Sequence, residues 1–309
     1  MEEIHPSYDY LDQYITSKRK LLHDLDQLNF LLLEGILPIC FWTLAHLYGK
    51  VLEGRTDEHT FILSPETYNS IGWFYNSFLY FSIPPRLDRV ISPQFEFKLA
   101  TSQYQANSPN FVVADNLLSP EALDSLIRFT LESTIWFEEK EGYLGAYYFD
   151  GFLSHLLEQL VQELRAGFPD IIGDLPVMQQ WAYKFDQYAS AKQNVTGILP
   201  HADDAIVNVN IWIVPDEANA DPSSGGMELI LKEPDQFEPT NHNNAADISF
   251  VNSPAFANAP KLKIPYKQNR IVMFKSTLIH SSDKPNFKPG YASRRINLTF
   301  LFGERASTN

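Results

Sequence analysis

Apolar positions recur at helical spacing early in the chain and at alternating spacing later, and that change of period lays out the architecture. Leu11, Tyr14, Ile15, Leu22, Leu25, Leu28 and Leu32 fall near the helical period, which predicts an amphipathic helix over residues 10–33. Gly35 ends it, and a second helix is predicted from Ile36 to Tyr48. Ser64-Pro65-Glu66 joins a capping hydroxyl, a proline where no N–H is needed and an acid in the first turn, so a third helix should start there and stop before Pro84-Pro85. After a short strand at Phe111-Val112-Val113-Ala114, the same signal at Ser119-Pro120-Glu121 predicts a helix to about Glu132. Leu153, Leu156, Leu157, Leu160, Val161 and Leu164 line one face of another.

From Trp181 the period shortens to two and β-branched residues gather. Strands are predicted at Trp181 to Phe185, Ile206 to Val214, Met227 to Leu231, Arg270 to Phe274 and Arg295 to Phe302. Pro215 to Gly226 is a turn-rich connection, and the long stretch Glu233 to Pro260, loaded with Asn, Ala and Pro, suits a lid. The expectation is an α+β chain with a helical module over residues 1–105 and a β-sandwich or barrel with flanking helices over 106–309.

Composition narrows the uses of such a fold. The net charge of −14 repels a phosphate backbone and speaks against a nucleic-acid partner. The charge is uneven, +8 over residues 261–309 against −22 over 1–260, as a solvated face or a site for a small dicarboxylate would make it. The single cysteine, Cys40, rules out an internal disulfide and a thiolate cluster and suits a reducing, cytoplasmic setting. No secretory signal is visible after Met1. The apolar run Leu28 to Tyr48, broken by Asn29, Glu34, Pro38 and His46, reads as buried helix rather than a membrane span.

The candidate chemistry starts at His201-Ala202-Asp203, which opens the long β-type run. With 8 His and 19 Asp in 309 residues, chance alone supplies about one half of a His-x-Asp, so the pair means little without context. Two imidazoles and a carboxylate suit Fe(II) and leave coordination positions open for chemistry. The second imidazole is expected from His280, which follows the strand Arg270 to Phe274 and a short polar turn. Arg294 and Arg295 follow at the head of another strand, where a guanidinium can grip a carboxylate bidentately. His155 is expected to face solvent from its helix, and His242 is most simply a solvated loop residue.

His201-x-Asp203, then His280, then Arg295 in Arg-x-Asn-Leu-Thr-Phe, resembles the 2-oxoglutarate/Fe(II)-dependent oxygenases, built on a double-stranded β-helix of the jelly-roll or cupin-like kind. The likeness is greatest to a bacterial branch often linked to tetratricopeptide repeats. It is carried by Trp181-Ala182-Tyr183-Lys184, Val207 to Trp212, Pro215 to Asn219, Leu131 to Trp136 and Gly142 to Ala146, and it covers about residues 110–305. The resemblance implies that His201, Asp203 and His280 bind Fe(II) and that Arg295 meets the far carboxylate of 2-oxoglutarate. Dioxygen would be consumed, succinate and carbon dioxide released, and a C–H bond of a peptide, amino acid or biosynthetic intermediate hydroxylated. The presence of Asp203 favours hydroxylation over halogenation.

Strand alternation sends only one of Arg294 and Arg295 inward; the resemblance favours Arg295, and Ile296, Leu298 and Phe300 then need cover from helices. Asn210 is either a second contact to 2-oxoglutarate or a strand amide bonded to a neighbouring turn. Tyr183 either reaches the cofactor or is a buried aromatic. Two departures bear on that strand: residues 186–199 form a longer segment than the branch has, and Phe185 stands where a tyrosine is common. The competing readings are a metal-binding jelly-roll protein without turnover and a nucleic-acid demethylase, the latter opposed by the acidic charge. The N-terminal helices could hold a peptide substrate, cover the barrel mouth or form a homodimer.

Overall fold

The computed structural model describes residues 15–55, 60–185, 197–233, 256 and 258–304. The class is mixed helix and sheet. A seven-stranded sheet carries strands β3 (Phe111–Asp115), β4 (Glu138–Lys140), β5 (Tyr143–Tyr147), β6 (Val177–Phe185), β7 (Val207–Trp212), β10 (Arg270–Lys275) and β12 (Ile296–Phe302). They are arranged β3-β10-β7-β12-β6-β5-β4, with every neighbouring pair antiparallel. A three-stranded antiparallel sheet runs β11 (His280–Ser282), β8 (Met227–Ile230), β9 (Lys261–Ile264). A small pair, β1 (Ile15–Ser17) with β2 (Thr60–Ile62), stands apart from both.

The two faces of the large sheet differ in chemistry because successive side chains point to opposite sides. One face presents Val207, Val209, Ile211, Ile271, Met273, Ile296, Leu298, Phe300 and Phe302. These pack in one cluster with Leu126 and Phe129 of helix α5 (Pro120–Glu132) and Leu156, Leu157, Leu160 and Leu164 of helix α6 (His155–Gly167). The apolar side of β12 therefore has the helical cover that alternation demanded. Helix α5 begins as expected, the Ser119 hydroxyl accepting from Ala122 N; in α6 the Ser154 hydroxyl accepts from Leu157 N, and Leu153, expected on the apolar face, lies ahead of the helix and is exposed. His155 is largely exposed beside Glu158.

The N-terminal helices have shorter bounds than the periodicity suggested. Helix α1 spans Lys18–Leu33, because Ile15–Ser17 pairs as a strand and the Ser17 hydroxyl caps the helix at Lys20 N. Beyond Leu33 the run to Tyr48 is not one buried helix: Pro38 interrupts it, Ile39 and Cys40 are exposed, and helix α2 starts at Trp42 and ends at Leu52. Helix α3 (Pro65–Ile71) stops short of Pro84, since Gly72 caps it and Asn76 adopts a positive φ of 51°. Helix α4 (Phe97–Ala106) packs on β3, and its Ala100 and Tyr104 belong to the main cluster. Among the described residues, no helix is long and apolar enough to cross a membrane.

Helix α1 is held to the sheet by polar groups as well as apolar ones. Gln27 donates to Leu131 O and Ser133 O, and Arg294 reaches Asp26 at 2.6 Å. His23 lies between Trp136 and Tyr291, fully buried; burial first, then Lys184, Arg294 and Lys20, push its pKa well below 6.5. A base that folding keeps neutral contributes its full stability above the unfolded pKa and loses it as pH falls below that value. Stability should therefore fall more steeply below pH 6.5 in the native protein than in His23→Gln. Urea denaturation at pH 7.5 and 5.5 measures the difference, and equal slopes would place His23 outside the packed interior.

Candidate metal centre

His201 and His280 are 79 positions apart yet face one another across an antiparallel bridge, His201 N to His280 O at 3.0 Å and His280 N to His201 O at 2.8 Å. Their ring centroids are 4.2 Å apart. The Asp203 carboxylate completes the group, Oδ1 at 3.8 Å from His201 Nε2 and Oδ2 at 3.4 Å from His280 Nε2. One ligand atom from each of the three lies within 4.8 Å of the others, as a single metal ion requires.

The donor set fits a divalent first-row metal. His201 Nδ1 is 2.7 Å from Leu199 O and His280 Nδ1 is 3.1 Å from Leu278 O. A carbonyl can only accept, so both Nδ1 atoms carry the proton and both Nε2 lone pairs face the carboxylate. Asp203 and His280 are buried, while His201 is partly open. The Phe274 ring, 4.8 Å from that of His280, backs the site with apolar surface.

The second face of the large sheet leads away from this group in ranks. Across β7, β12 and β6, Asn210, Thr299 and Trp181 stand in register, and Trp212, Asn297 and Tyr183 form the next rank. Arg295 comes after them, its backbone carbonyl accepting from Phe185 N. Its guanidinium lies 4.4 Å from the Phe185 ring centroid and 5.6 Å from that of Trp212. Nε donates to Gly225 O at 2.6 Å and Nη2 to Gly226 O at 3.2 Å, while Nη1 is buried without a hydrogen-bond partner. Among the described residues no carboxylate lies within ion-pair distance of Arg295, and burial brings its pKa down to about 10. A buried cation in this condition is costly to hold away from water.

Arg294 points to the other face, where it meets Asp26 and the Tyr291 ring. Asn210 is enclosed, its Oδ1 accepting from Asn297 and Thr299 and its Nδ2 donating to Asn208. Tyr183 shares a hydrogen bond with the Tyr147 hydroxyl at 2.9 Å, within an aromatic group that includes Tyr143, Trp181 and Phe185. His242 and most of the Glu233–Pro260 stretch lie outside the described residues, as does the bulk of 186–199. Sequence reasoning turned Asn297 inward with Arg295 but gave it no partner, and it passed over Asn208 and Thr299. Their signal was visible: polar side chains at alternate positions of otherwise apolar strands demand buried partners.

Gly226 makes the guanidinium contact possible. A Cβ there would strike the backbone of Ile264 and Pro265, so β8 could not approach β9 with any other residue. Gly226→Ala should displace the carbonyls that hold Arg295 and lower the melting temperature by several degrees, whereas Gly49→Ala, with open space around it and no positive φ, should not.

No family model matches this sequence, and no curated protein matches it. Solved structures do. One is the non-heme alpha ketoglutarate dependent carbocyclase SnoK from nogalamycin biosynthesis, 12% identical over 70% of this chain and 87% of its own, at a TM-score of 0.47. HygX from Streptomyces hygroscopicus, solved with nickel, 2-oxoglutarate and hygromycin B, is 13% identical over 66% of this chain and 86% of its own, at 0.44. An oxidoreductase of the 2OG-Fe(II) oxygenase family from Burkholderia pseudomallei is 10% identical over 73% of this chain and 96% of its own, at 0.43. Likenesses at identities and TM-scores this low assign no residue a role; the chemistry of the site rests on its own geometry.

Proposed function

We propose that the chain is a non-haem Fe(II)/2-oxoglutarate-dependent dioxygenase on a double-stranded β-helix, hydroxylating an unactivated C–H bond of a small-molecule or peptide substrate. The observation that carries the reading is the pairing of two incomplete sites on one protein. Three ligand atoms converge as a metal would need them, and a buried guanidinium with no carboxylate partner among the described residues stands at the head of the strand of Asn297, which bonds to the β7 amides that lead to Asp203. A dicarboxylate with a ketoacid end satisfies both at once.

His201, Asp203 and His280 would hold the iron, and Arg295 the far carboxylate of 2-oxoglutarate. Asn210 keeps a second amide hydrogen beyond the one given to Asn208, and that hydrogen is its means of contact. With 2-oxoglutarate and dioxygen, iron supplies the oxidising power for hydroxylation, the co-substrate leaving as succinate and carbon dioxide. The protein's part is orientation and dryness. Phe185, Trp212 and Tyr266 wall the guanidinium from water, and the Nδ1–H bonds fix both imidazole planes.

Anaerobic addition of Fe(II) and then 2-oxoglutarate should give a weak visible charge-transfer band. Tight metal binding with no band would favour a metal-binding protein without turnover. Succinate release screened against amino acids, peptides and small biosynthetic intermediates then identifies the substrate.

A further inference from the structure

A buried chain of side-chain amides leads from the strand of Arg295 to the metal-site carboxylate. Asn297 Nδ2 donates to Asn210 Oδ1 at 2.8 Å, Asn210 Nδ2 to Asn208 Oδ1 at 2.6 Å, and Asn208 Nδ2 to Asp203 Oδ2 at 2.5 Å. Asn208 is 0% exposed, Asn210 and Asn297 5% each. The direction is forced by chemistry. An amide's nitrogen and oxygen are alike in shape, but a carboxylate that serves as a ligand can only accept. Asn208 must therefore turn its nitrogen to Asp203, which leaves only its oxygen for Asn210, and the same choice passes on to Asn297. The far end is Asn297 Oδ1, buried without a partner two residues from Arg295. Thr299 forms a side branch, accepting from Asn297 at 2.8 Å and donating to Asn210 Oδ1 at 3.1 Å.

We propose that Asn208, Asn210 and Asn297 are positioning residues that set the rotation of the Asp203 carboxylate through this head-to-tail chain, so that a residue beside the dicarboxylate anchor tunes the hold on the metal. The inference rests on the reading of His201, Asp203 and His280 as metal ligands. Its physical basis is that dipoles aligned in one sense in a dry interior polarise one another, and each buried amide that loses its partner is costly. Asn208 holds one carboxylate oxygen; Asn210 and Asn297 hold Asn208 in the only orientation that can do so.

The test uses Co(II) alone as the probe, titrated into the full chain without 2-oxoglutarate and followed by its visible ligand-field spectrum. Asn208→Leu should weaken Co(II) binding roughly 10- to 100-fold and change the spectrum, as loss of a partner to a ligating carboxylate does. Asn297→Leu, which touches no ligand, should weaken it roughly three- to tenfold, and the Asn208→Leu/Asn297→Leu double variant should do no worse than Asn208→Leu alone. Thr299→Val should change it less than Asn297→Leu, since the direct Asn297–Asn210 bond survives. Should the leucine variants fail to fold, Asn297→Asp keeps the size but cannot donate to Asn210. It should loosen Co(II), whereas a purely electrostatic effect of the added negative charge would tighten it. A native protein that binds no Co(II) removes the metal reading itself. Native binding with Asn297→Leu and Asn297→Asp both within twofold of it, or additive losses in the double variant, overturns the chain alone.

Discussion

Replacing Arg295 with methionine should make the ligand-free protein more stable and, in the same step, deaf to 2-oxoglutarate. The guanidinium is 3% exposed, pairs with no carboxylate among the described residues and has one nitrogen without a hydrogen-bond partner. Its pKa of about 10 registers the cost of holding that charge away from water. Apolar replacement of poorly compensated buried charges is commonly neutral or stabilising by about 1–4 kcal/mol. In the native protein 2-oxoglutarate at a hundred times its dissociation constant should add about 2.7 kcal/mol of stability, and this increment should vanish in Arg295→Met. The concentration of 2-oxoglutarate needed for turnover should rise by roughly 30-fold or more, with Fe(II) affinity little changed. Arg294→Met should do the reverse, lowering stability by breaking the contact with Asp26 while leaving the 2-oxoglutarate requirement near native. Thermal scans with and without 2-oxoglutarate, and its titration in turnover, decide the matter. Equal effects of the two substitutions would leave the anchor unassigned.

The second large effect is expected at His280. Alanine there would remove one of the three proposed ligands, so Fe(II) affinity should drop by more than about a hundredfold, beyond what loss of an outer partner costs. The visible band with 2-oxoglutarate should disappear. The fold should survive, because the bridge between His201 and His280 is made by backbone atoms that alanine keeps. Normal melting with no metal uptake is the expected outcome; native metal affinity in His280→Ala would remove this residue from the centre.

The metal-site group was legible because ligand chemistry restricts residue type and strand alternation restricts direction. His201, Asp203 and His280 could be brought together on paper without knowing which strands touch. The resemblance chose Arg295 over Arg294, and that choice required apolar cover for Ile296, Leu298 and Phe300, which α5 and α6 provide. Elements whose periodic signal is absent or too short were missed. The hairpin of β4 and β5 begins with Glu138-Glu139-Lys140, a charged run that pairs through its backbone at the sheet edge. Strand β9 alternates Lys261-Leu262-Lys263-Ile264, but it is short and comes after a long polar stretch. The predicted helix over 10–33 took in Ile15–Ser17, where tertiary pairing with β2 overrides local spacing.

Strand β12 lies at the middle of the large sheet, between β7 and β6, although it comes after both by many residues in the chain. A polypeptide synthesised only as far as His280 would already contain the three side chains proposed to hold the metal, but neither β12 nor the proposed anchor Arg295. On the proposed reading, the place for 2-oxoglutarate is therefore completed only when β12 enters between β7 and β6.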